Sequence, residues 1–79
     1  MSLLMDISRE HTRVVKMGLS PIILEVDAKT KAMLFKEIRE VLSSEPGKSL
    51  MGMELRDKVF IGDGVFRVLT DDRQWLEVN

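Results

Sequence analysis

Residues 47–49 read Gly-Lys-Ser, the closing letters of the loop in which nucleotide hydrolases wrap phosphates with backbone N–H groups and hold them with a lysine. That loop also needs a first glycine at what is here Leu42, and it must follow a strand and open a helix. Here Pro46-Gly47 closes a helical pattern and an extended pattern follows, so the tripeptide reads as a helix stop and no cofactor is expected. The other chemistry-bearing residues are scattered. His11 is the one histidine, without ligand spacing around it, and Glu10 beside it cannot share its strand face. Asp57, Asp63, Asp71 and Asp72 fall at loop ends, where turns select Asp for its side-chain hydrogen bonds, and no pair has the spacing of a calcium loop. No catalytic or metal site is expected, and the chain is read as not an enzyme.

The elements that would position a surface are clearer. DAKTKAMLFKEIREVLSSE is a helix with Asp27 as N-cap and Leu34, Phe35, Ile38, Val41 and Leu42 as its apolar stripe. PIILEVD is a strand with Ile22, Leu24 and Val26 inward, and Pro21 is tolerated at its first position. LMGMEL alternates as a further strand, in which the methionines act as core filler. In DKVFIGDGVFRVL, Asp63-Gly64 sits between two β-branched and aromatic runs, a strong hairpin signal that pairs Ile61 with Phe66, Phe60 with Arg67 and Val59 with Val68. If QWLEV continues the meander after TDDR, Trp75 lies opposite Val68 and Leu76 opposite Arg67.

Residues 8–18 support two readings. As a helix, Leu4, Ile7, His11, Val14 and Val15 line one side and Gly18 is the stop; as a strand from about Arg13 to Met17, Val15 and Met17 join Ile22 and Leu24 across a GLSP turn. The β-branched Val14-Val15 pair favours the strand, with residues 1–11 as a flexible or helical extension. The expected architecture is thus a single α+β domain over residues 1–79: an N-terminal β-hairpin, one long central helix, and a C-terminal antiparallel meander packed on the helix.

Composition narrows the function classes. Twelve Lys and Arg stand against thirteen Asp and Glu, a formal charge of −1 that provides no global field for nucleic acid or an anionic membrane. The absence of cysteine removes disulfides and zinc–thiolate sites and suits the cytoplasm, and no segment approaches the ~20 apolar residues of a membrane span. A domain of 79 residues buries only about 60–65% of its unfolded surface, so self-association would help it. The meander's second face carries Phe60, Arg67, Leu69 and Leu76, an apolar and arginine-bearing surface that reads either as an interface for a protein partner, a homodimer first, or as the interior of a sheet curled into a small barrel. The leading expectation is a small non-enzymatic interaction or regulatory domain.

Arg9, Arg13 and Lys16 form a basic group that aligns if their segment is helical and carries the alternative, a nucleic-acid-binding module. VKMGLSP resembles the K-x-G-x-S-P turn of AbrB- and MazE-like swapped-hairpin DNA-binding proteins, and DKVFIGDGVFRV is similar to the hairpin that follows in them; here Asp27 to Leu55 separates the two parts. The resemblance implies a DNA contact.

Overall fold

The computed structural model describes residues 2–43, 47–57 and 65–78. They form α1 (Leu3–Lys16), β1 (Pro21–Val26), α2 (Ala28–Leu42), β2 (Ser49–Leu50), β3 (Met53–Asp57), β4 (Phe66–Thr70) and β5 (Trp75–Val78). The strands make one mixed sheet in the order β2-β3-β1-β4-β5, with β1 and β3 parallel and the other neighbours antiparallel. Both helices cover one sheet face, where Leu3, Leu4 and Ile7 of α1 and Leu34 and Ile38 of α2 meet Leu24, Val26, Met53, Phe66 and Val68. The α+β class stands, but the expected N-terminal hairpin and single helix do not.

The first correction is α1. Residues 13–17 continue the helix instead of forming a strand, because Leu3, Leu4, Ile7, Glu10 and Val14 place one buried stripe along it and both ends are closed by hydrogen bonds. At the C-terminus Gly18 stands at φ +81°, its N–H donates to the Val15 carbonyl and the Leu19 N–H reaches back to the Val14 carbonyl. This paired closure satisfies carbonyls that a helix end leaves open, and glycine takes the left-handed position without a Cβ clash. These gains outweigh the strand preference of Val14-Val15, of which Val15 is left exposed. The K-x-G-x-S-P match to swapped-hairpin proteins therefore falls on a helix end and not on a turn between paired strands.

Asp27 caps α2 as expected, accepting from the Thr30 N–H at 2.7 Å. Leu34 and Ile38 are buried and Phe35 packs at the core's margin, but Val41 and Leu42 are exposed at 65% and 54%. Periodicity shows which side of a helix is apolar; how far along it the sheet reaches is a tertiary matter.

The sheet is corrected in three places. First, the neighbours of β4 are β1 and β5: Val26 pairs with Phe66, Glu25 with Arg67 and Leu24 with Val68, while β5 takes the other edge. Both edges of β4 are therefore occupied over the residues assigned to the Asp63-Gly64 hairpin, and that turn itself, with Phe60, lies outside the described residues. Second, LMGMEL is a hairpin: Met51 (φ +51°) and Gly52 (φ +80°) make the two-residue turn between Leu50 and Met53, which leaves Met51 at the exposed tip and Met53 fully buried. Third, a register irregularity between Pro21 and Ile23 leaves Ile22 partly exposed, so only Leu24 and Val26 of the three expected residues point inward.

Candidate interaction surface

Cross-strand partners share a face, so the pairings sort the residues of the sheet. On the helix side lies the row Leu55, Leu24, Val68, Leu76. Opposite, on the face that neither helix covers, run two rows from β3 across β1 and β4 to β5. One is Glu54, Ile23, Leu69, Trp75; the other is Arg56, Glu25, Arg67, Glu77.

Arg67 and Leu69 thus lie on the uncovered face, whereas Leu76 does not: it opposes Val68 on the core side, and Trp75 opposes Leu69. The cause is the β4–β5 turn. Asp71, Asp72 and Arg73 form a three-residue loop with Arg73 at φ +69°, and the Thr70 N–H donates to the Gln74 carbonyl at 3.0 Å. That loop sets the pairing one residue away from the expected register, and a one-residue slip in a strand moves every side chain to the other face. Thr70 holds the loop from within, its hydroxyl oxygen lying within reach of both the Asp72 carboxylate and the Gln74 carbonyl, which compete for its single proton.

The face is polar and apolar in alternate rows. The Arg67 guanidinium stacks over the Trp75 ring at 4.5 Å from its centroid, an arrangement in which the ring's negative face attracts the cation. Trp75 remains 38% exposed, and Ile23 and Leu69 are half-buried. Between the two arginines, Glu25 is 12% exposed and its Oε1, 3.8 Å from Arg67 Nη1, accepts no hydrogen bond from any described residue. Trp75 escaped sequence reasoning because its face depended on the loop length, and an arginine at the left-handed position gives no local signal of it.

Glu37, Asp71 and Asp57 have structural partners. The Glu37 carboxylate sits at the N-terminus of α1, accepting from the Ser2 hydroxyl and from the N–H groups of Leu3 (3.0 Å) and Leu4 (3.2 Å). Burial pushes its pKa up, but the Ser2 hydroxyl and the Leu4 and Leu3 N–H groups outweigh this and hold it below the ordinary glutamate value. Asp71 ties the two loops together, accepting from the Ser20 N–H at 3.1 Å and donating its own N–H to the Ser20 carbonyl at 2.9 Å. Asp57 pairs with Lys31 at 3.1 Å. His11 is half-buried on α1, and among the described residues no group of three His, Asp or Glu side chains could hold a metal. The Gly47-Lys48-Ser49 segment follows α2 and leads into β2, the reverse of the strand-to-helix order of a phosphate loop, and the Lys48 carbonyl accepts from the Leu55 N–H.

Helix α1 does align Arg9, Arg13 and Lys16, which line an open depression with Met5, Ser8 and Thr12. Arg9 faces Asp6 at 3.6 Å and Arg13 faces Glu10 at 2.5 Å, so two of the three positive charges are countered on the same helix. Among the described residues no helix is long and apolar enough to cross a membrane. Comparison of the chain with protein-family models, with curated proteins and with solved structures finds no match in any of the three.

Proposed function

We propose that this chain is a small interaction domain, working in the cytoplasm, that acts by contact rather than by catalysis and uses the uncovered sheet face as its working surface. The observation that carries this reading is the Arg67–Trp75 stack beside Leu69 and Ile23 on a face that neither helix covers. Aromatic and arginine side chains are enriched at interface centres and supply most of the energy there. The engagement of Glu37, Asp57 and Asp71 in caps, ion pairs and loop ties favours contact over chemistry. A photo-reactive benzophenone side chain placed at Leu69 should yield protein adducts on illumination in the native cell, and the same group at Thr12, on the outer side of α1, should not. Adducts from Thr12 with none from Leu69 would refute the assignment.

A second reading, nucleic-acid binding through α1, is favoured by the alignment of Arg9, Arg13 and Lys16 along one exposed side. It requires that short DNA or RNA bind and that binding weaken as salt rises. Fluorescence anisotropy across a salt series tests it, and no binding at low salt removes it.

A further inference from the structure

Resting on the assignment of the uncovered face as the working surface, we propose that its partner is a second copy of this chain, the two sheets stacked face to face about a two-fold axis that runs along the strands between β1 and β4. The charges on the face are arranged to suit this. Reading across β3, β1, β4 and β5, the polar row is Arg56, Glu25, Arg67, Glu77, positive and negative in alternation. A two-fold axis between β1 and β4 sets β1 against the partner's β4 and β3 against the partner's β5. Glu25 then faces Arg67 of the other copy and Arg56 faces Glu77, each pair occurring twice, while in the apolar row Ile23 faces Leu69. Such an interface is self-complementary, as a closed dimer requires.

Other two-fold placements do less: axes along the strands between β3 and β1 or between β4 and β5 also set unlike charges together, but they engage two of the four charges of the row instead of all four. An axis across the strands and through the polar row sets each charge against its own copy, and one between the rows sets Arg56 against Glu54 but the other three charges against Ile23, Leu69 and Trp75. The aligned arrangement is also the way twisted sheets pack, with strand directions within about 30° of each other.

Glu25 supplies an independent observation. Its Oε1 is buried yet lies 3.8 Å from Arg67 Nη1, beyond hydrogen-bond reach, and no described residue donates to it. A buried carboxylate oxygen without a donor is costly, and a rotation of the Glu25 side chain that brings this oxygen to the face would let the partner's guanidinium supply the donor.

Strands about 4.8 Å apart and about five residues long give a face of roughly 300–400 Å² in plan. Two such faces bury on the order of 600–800 Å² in total, below the standard size of a specific interface, so the dimer is a weak one. Sedimentation from about 10 µM to about 1 mM covers that range. The wild-type chain should show a reversible monomer–dimer equilibrium. Glu25→Arg and Arg67→Glu should each abolish or weaken it by at least about thirtyfold, since each homodimer then holds two like-charged contacts. Mixed in equal amounts, the two variants should associate again, because their heterodimer restores an opposite charge at every contact. Circular dichroism establishes that each variant is folded. Should either fail to fold, Ile23→Cys and Leu69→Cys serve instead in a chain without native cysteine: a disulfide should form several-fold faster in their mixture than in either alone, because its geometry is strict. A wild-type chain monomeric at 1 mM, a charge-variant mixture no more associated than its components, or no preference for the mixed disulfide overturns the proposal. The Leu69 photo-adduct separates this from failure of the face itself: an adduct to a different protein keeps the face and discards the second copy, and none discards both.

Discussion

Glu37 ties the two helices together and allows a sharp test. The first four N–H groups of any helix lack partners within it. In α1 those of Leu3 and Leu4 donate to the Glu37 carboxylate and that of Met5 to the Ser2 hydroxyl oxygen, while the Asp6 N–H makes the first bond of the helical ladder, to the Ser2 carbonyl. Glu37→Gln keeps the size and one acceptor but removes the charge. Hydrogen bonds to charged groups contribute roughly 1.5–3 kcal/mol against 0.5–1.5 for neutral ones, and a negative charge at a helix N-terminus adds about 0.3–1 kcal/mol. Discounted for the solvent that still reaches the carboxylate, the substitution should cost about 1–2 kcal/mol at pH 7. The pH dependence fixes the mechanism. The carboxyl's pKa is lower folded than unfolded, so its contribution is fully present above the unfolded value of about 4.3 and is lost as pH falls through the folded value. Urea unfolding of the wild-type chain and Glu37→Gln should therefore give a constant difference from about pH 5.5 to 8, shrinking progressively below about pH 4.3. A difference under about 0.3 kcal/mol at pH 7, or one that persists undiminished in acid, would show that the charge is not what anchors α1.

Three further outcomes are expected. Ile38→Ala should cost about 2–5 kcal/mol in the same unfolding assay while Val41→Ala stays within about 0.5, a contrast that places the end of the buried stripe between them. Met51→Asn should raise stability by about 0.5–1 kcal/mol, since Met51 stands at φ +51° in a turn whose first central position favours Asn; a lower melting temperature would count against the turn. Lys48→Ala should leave the melting temperature the same with and without ATP and magnesium, because α2 ends before this segment where a phosphate cradle needs a helix to begin; a nucleotide-dependent rise lost in the variant would contradict this.

Where short-range chemistry decides structure, the residues were legible. Asp27 announces α2 because an N-cap is made between a side chain and an amide three residues away, and Leu34, Ile38, Leu24 and Val26 announce the core by their spacing. Gly18 was readable as a helix stop for the same reason, yet the choice between helix and strand for Arg13–Met17 rested on Val14-Val15, whose weak strand preference yields once α1 can lay Leu3, Leu4 and Ile7 on the sheet. The anchor of that helix, Glu37, lies 34 residues from Leu3 in sequence, a distance at which no local pattern carries information.

The working face was legible in kind and not in membership. Arg67 and Leu69 alternate with the buried Phe66 and Val68, so they had to leave the core together. Whether Trp75 or Leu76 joined them depended on one residue of loop, because the side-chain period of a strand is two. Which strands lie beside β4 was likewise a matter for the tertiary structure. The short-range signal joined β4 to the residues just before it, but the apolar β1 takes the centre of the sheet, where both its edges are hydrogen-bonded, and α2 returns the chain to β3 on the far side. By itself the sequence determined an α+β domain with an apolar helix and strands to cover; only the assembled sheet decided that Arg56, Glu25, Arg67 and Glu77, from four separate strands, stand in one row of alternating charge.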